Sequence, residues 1–201
     1  MVGLYLKFIR LLAKNEYDLK ARYIPALIFS SAFFGILYIH FHSLINFGWL
    51  DFLKLPTLIV LVLIFSIVPK TIAVIVSGYI QSMYWNKYGN TTIKYIQASK
   101  KEMHTDLLNL FDDNDALLQD MLAVTRNDRR LLSKNIFYGF MRNGAFLVTL
   151  FLFINIVYFK YVLITNAIIC LLSYIFLYMS AQRYAEQIVN SYLETKMDSG
   201  N

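Results

Sequence analysis

Acidic residues are missing where a transporter would need them most. None of the 13 Asp and Glu residues falls inside a long apolar run, so no carboxylate is available to relay protons or coordinate ions at mid-membrane. That argues against a proton-coupled pump. Cysteine is almost absent too: Cys170, alone, excludes a disulfide within the chain and any CxxC or Cys/His zinc pattern. Its position in an apolar stretch marks a packing residue, because burial suppresses the thiolate. There is no Walker loop, no G-x-S-x-G and no H-E-x-x-H. The run Asp112, Asp113, Asn114, Asp115 lacks the glycine and terminal glutamate of a calcium loop and reads as a helix cap. His40 and His42 stand far from His104, without further ligands nearby. No catalytic or metal constellation emerges; the expectation is a protein that is not an enzyme and has no cofactor.

What is present is hydrophobicity, 58% of 201 residues, gathered into four stretches at 24–41, 55–80, 145–158 and 162–179. A helix rises about 1.5 Å per residue and the hydrocarbon layer is about 30 Å thick, so about 20 residues span it. The first stretch is too long for a signal peptide and no small-x-small cleavage site follows it. Basic residues orient the spans, since cytoplasmic flanks retain them. Lys7, Arg10, Lys14, Lys20 and Arg22 precede the first span. Nine more Lys and Arg, from Lys87 to Arg142, lie between the second and third, whereas the two short connections carry only Lys54 and Lys160. The expected fold class is therefore an all-α integral membrane protein: four transmembrane helices, a helical cytoplasmic insert between the second and third, and both termini inside. The segments are a basic amphipathic N-terminal helix (1–23), a first transmembrane hairpin (24–80), the insert (81–143), a second hairpin (144–180) and a cytoplasmic tail (181–201). Phe47 and Trp49 suit the outer headgroup level, and Tyr84, Trp85, Phe137 and Tyr138 the inner one.

Local signals fill in the rest. Pro25 is expected in the first turn of a helix, where its missing N–H matters little. Thr91 or Thr92 is expected to cap a helix through Ile96. The acidic run should cap another through Leu122. A third should start after Asn127-Asp128, with Leu131, Leu132 and Ile136 on one side, and run unbroken into the third span. Residues 180–193 read as an inward continuation of the fourth span, with Tyr184, Ile188 and Tyr192 in helical register.

Two groups of residues are candidates for function. Pro69 and Lys70 lie inside the second apolar stretch: either a kinked span whose lysine snorkels to the headgroups, or a gate residue on a proline hinge. Arg126, Arg129, Arg130 and Lys134 share one helical stretch, and Arg142 follows near the membrane. Guanidinium groups suit phosphate, so this set can receive a nucleotide or oligonucleotide, or serve as a positive flank for anionic lipid.

The segments YWNKYGNTTIKYI, after the second span, and KNIFYGFMRN, before the third, resemble small multi-span transmembrane effectors of bacterial nucleotide-signalled anti-phage defence, as in CBASS and Hailong systems. Where those relatives carry Gly-Pro-Thr-Thr, this chain reads Gly89-Asn90-Thr91-Thr92. The resemblance places Thr91, Thr92, Tyr138, Arg142 and Asn143 in the shared motif. It implies a homo-oligomer, with a tetramer favoured, in the bacterial cytoplasmic membrane. That oligomer would be an ion channel or pore that depolarises the cell under control of a nucleotide made by a partner nucleotidyltransferase. The competing expectation is a non-conducting sensor or anchor that docks a soluble partner through residues 81–143.

Overall fold

The computed structural model describes residues 16–44, 55–99, 106–108, 113–126, 128–159 and 163–199. The amphipathic helix expected over residues 1–23 lies outside them as far as residue 15, as do the anchors Phe47 and Trp49, Asp112 and His104, and the side chains of His40 and His42. Among the described residues the structure is helical and contains no strand. A π-helical segment, Asp18–Tyr23, leads directly into α1 (Ile24–Leu44). Then come α2 (Leu55–Tyr88), α3 (Thr91–Ala98), α4 (Asn114–Val124), α5 (Arg129–Ile154), which closes in a π-helical turn (Asn155–Phe159), and α6 (Leu163–Ser199). Three of them, α2, α5 and α6, are long and apolar enough to cross a membrane. The remaining expected span, α1, is a helix of 21 residues whose side chains are described as far as Gly35.

Caps set the boundaries. Gly89 ends α2 in the left-handed conformation (φ 81°), and its N–H reaches back to the Trp85 carbonyl at 2.8 Å. The α3 cap is Asn90, one residue earlier than expected from the threonines: its side chain accepts from the Thr92 N–H at 2.8 Å. Asp113 caps α4 by accepting from the Asp115 N–H. Asp128 does the same for α5 through the Arg130 N–H at 2.7 Å. From there α5 runs without interruption into the third apolar stretch, as expected. Of the stripe assigned to its start, Leu131 is buried but Leu132 is 43% exposed, because neighbouring helical residues point about 100° apart.

The chain forms two compact units, one from residues 1–78 and 139–175, the other from 79–138 and 176–201. The first unit packs through small buried residues, Ala21, Ala26, Ser30, Ala73 and Ala145, which let helix backbones approach. Phenylalanines fill beside them: Phe29 meets Phe151 edge-on at 5.9 Å, and Phe34 meets Phe65 at 5.2 Å. Its outside is apolar, with Ile75 at 65%, Phe153 at 64% and Ile164 at 80% exposure. Water would penalise such a surface and hydrocarbon would not.

The second unit is amphipathic in the ordinary way. Ile93, Ile96, Leu117, Met121, Leu131, Ile188, Val189 and Tyr192 make its core. The insert and the C-terminal part of α6, separate segments in the sequence, thus share one hydrophobic centre. Tyr184, Ile188 and Tyr192 fall on the face that sequence register assigns to them.

Candidate functional site

In the first unit the proline and lysine of α2 meet the start of the α1 helix. Pro69 is buried, and Lys70 Nζ lies 2.9 Å from Asp18 Oδ2 and 3.9 Å from the centre of the Tyr23 ring. Arg22 Nη1 approaches the other oxygen, Asp18 Oδ1, at 3.2 Å. Asp18 is nearly sealed, with its side chain 5% exposed against 17% for Lys70. A lysine in low dielectric requires such a partner, and a buried pair that loses one member leaves an uncompensated charge. The sequence expectation for Lys70, a snorkelling lysine in a kinked span or a gate residue on a proline hinge, names no counter-ion, and the structure supplies one. The carboxylate comes from just upstream of the first apolar stretch, 52 positions away. The only local signal for it is the helical i,i+4 pair Asp18 and Arg22.

A second node in this unit is Asn143. Its amide is fully buried, donates from Nδ2 to the Ala21 carbonyl at 2.7 Å and accepts from the Ser77 hydroxyl at 2.9 Å. The choice of carbonyl has a reason. Pro25 lies one α-helical turn beyond Ala21 and has no N–H to give it. Pro25 stands in the first turn of α1, as expected, but the π segment ahead of it leaves the Ala21 carbonyl facing the proline, and Asn143 of α5 supplies that oxygen with a donor. One turn before Asn143, Gly139 allows the close approach, since a Cβ there would stand 2.9 Å from the Ala21 Cβ and 2.5 Å from the Tyr17 hydroxyl.

In the second unit a shallow cleft of about 90 Å³ is lined by Trp85, Asn90, Thr91, Thr92, Leu118, Leu122, Tyr138, Ala181, Tyr184 and Ile188. Tyr138 and Tyr184 stack along it, 5.7 Å between centres. Three of the motif residues, Thr91, Thr92 and Tyr138, therefore share one cleft. Sites for whole small molecules run to roughly 300 Å³ or more, so this cleft is too small for a whole nucleotide.

The basic set divides between the units: Arg126, Arg129, Arg130 and Lys134 belong to the second, and Arg142 to the first. Arg126 and Arg129 are exposed, and Lys134 and Arg142 half-buried. Arg130 is engaged, 2.6 Å from Glu194 and 3.4 Å from Asp128. Asp128 in turn accepts from the Ser191 hydroxyl at 2.6 Å. That bond, with those from Arg130, holds its carboxyl below the usual carboxylate range. Among the described residues no cluster of three His, Cys, Asp or Glu side chains could hold a metal ion.

Comparisons with protein-family models, curated proteins and solved structures gave no match.

Proposed function

We propose that the chain is a four-span protein of the bacterial cytoplasmic membrane, with both termini and residues 81–143 inside. It assembles as a homo-oligomer, a tetramer, into an ion channel of anti-phage defence that a nucleotide or oligonucleotide gates from the cytoplasmic side. The observation that carries this reading is that α2, α5 and α6 each supply residues to both units. A ligand that shifts the polar unit acts on the same unbroken helices that form the apolar one. Four spans are too few to enclose a water path alone, so conduction needs several copies around an axis. Their apolar lining closes by dewetting. The exposed Arg126 and Arg129 are the phosphate contacts, and the Asp18–Lys70 pair beside Pro69 holds the closed state.

The test is ion flux from liposomes containing the purified full chain. Nucleotide or short oligonucleotide should change flux, and Lys70→Ala should raise it without ligand. No flux under any nucleotide, with either protein, overturns the channel. A second reading, a non-conducting sensor that docks a soluble partner through residues 81–143, is favoured by the engagement of Arg130 with Asp128 and Glu194. Overexpression separates the two: the channel depolarises cells and the sensor leaves their potential unchanged.

A further inference from the structure

We propose that Tyr84, Tyr88, Lys87 and Lys94 form a site for the phosphate of an acidic phospholipid headgroup. The two tyrosines lie one helical turn apart at the end of α2, their ring centres 4.9 Å from each other, and each is 50% exposed. Gly89 then reverses the chain, which brings Lys94 of α3 back over them. Its Nζ stands 5.5 Å from each ring centre, and Lys87 Nζ stands 5.1 Å from that of Tyr88. Aromatic faces attract these cations but leave their N–H groups and net charge unspent.

What sets this pair apart is its shared aromatic surface: Lys87 and Lys94 both stand by the Tyr88 ring. Lys20, Arg22, Lys70, Arg130 and Lys196 all face a carboxylate, whereas among the described residues none pairs with Lys87 or Lys94. Two positive charges beside one exposed ring, without a carboxylate, attract an anion from outside. The surface leading to them says which. Ile80 and Met83, just before them on the same helix, are 54% and 55% exposed and apolar. An apolar stripe ending in tyrosine hydroxyls and then lysines matches the order of acyl chain, glycerol level and phosphate along one lipid. A soluble nucleotide would leave the stripe without a partner.

The inference rests on the membrane-protein reading and not on conduction, so a chain that passes no ions still gives a decisive result. The experiment is native mass spectrometry of the detergent-purified full chain titrated with phosphatidylglycerol and phosphatidylcholine. Phosphatidylglycerol should be retained at least tenfold better. Lys87→Gln with Lys94→Gln should reduce it to the phosphatidylcholine level, and Lys87→Arg with Lys94→Arg should keep it. Thermal melting of each variant reports whether it folds, and the arginine variant carries the test if the glutamine variant does not. Equal retention of the two lipids, undiminished retention in the glutamine variant, or loss in a folded arginine variant overturns the proposal. Displacement of the lipid by millimolar ATP also overturns it, by assigning the lysines to a soluble phosphate.

Discussion

Asn143 satisfies two groups at once, and its link to Pro25 can be isolated by substitution. Asn143→Ala removes a donor from the Ala21 carbonyl and an acceptor from the Ser77 hydroxyl. The expected loss is about 2 kcal/mol of stability, the usual scale for buried groups left without partners. In a Pro25→Ala background residue 25 regains its N–H, and the Ala21 oxygen has a local donor again. The loss from Asn143→Ala should then shrink by about 1 kcal/mol, read as a coupling in a double-mutant cycle of thermal or denaturant unfolding in detergent. Strict additivity would show that Asn143 is not replacing the proline's missing bond. None of this was legible in the sequence. Pro25 alone reads as a first-turn residue, and no periodicity ties it to an asparagine in another helix. Lys70 shows the same limit, since a lysine in an apolar run announces a charge but not its counter-ion.

Helix ends and continuations were far more legible, because their signals are local. The acidic run and Asp128 stand where side-chain oxygens meet free N–H groups, and the helices begin there. Asn90 displaced the threonines because an asparagine following a left-handed glycine already sits in extended backbone, with its oxygen beside the Thr92 N–H. Asp128 joins the start of α5 to α6 through Ser191, and this has a pH consequence. Its carboxyl is held below the ordinary value by the Ser191 hydroxyl and the Arg130 groups. Its contribution is therefore complete above the unfolded value of about 3.9 and is lost as pH falls through the lower folded one. Melting temperature measured from pH 6 to pH 2.5 should fall less steeply at the acid end in Asp128→Asn than in the wild type. Parallel curves would remove Asp128 from the acid response.

At the scale of the whole molecule, the long apolar runs made helices able to cross a membrane accessible from the sequence. The sharing of one core by the insert and the end of α6 was not, since contacts between residues about 60 to 70 positions apart leave no mark in a window. The proposed orientation is open to direct measurement. With Cys170→Ala as background, Asp115→Cys places a single thiol at an exposed position of the second unit. A membrane-impermeant maleimide should label it in lysed spheroplasts and not in intact ones. Labelling of intact spheroplasts would place the insert outside and remove the basis for an intracellular trigger.

Biogenesis inherits a timetable from the Asn143 contact. The ribosome releases Asp18 and Lys70 early, so the charge in α2 can be neutralised as soon as α1 and α2 are made. The donor for the Ala21 oxygen is synthesised 122 residues after its acceptor. Until then that oxygen needs another donor, and the packing of α1 on α2 is complete only once α5 has been made.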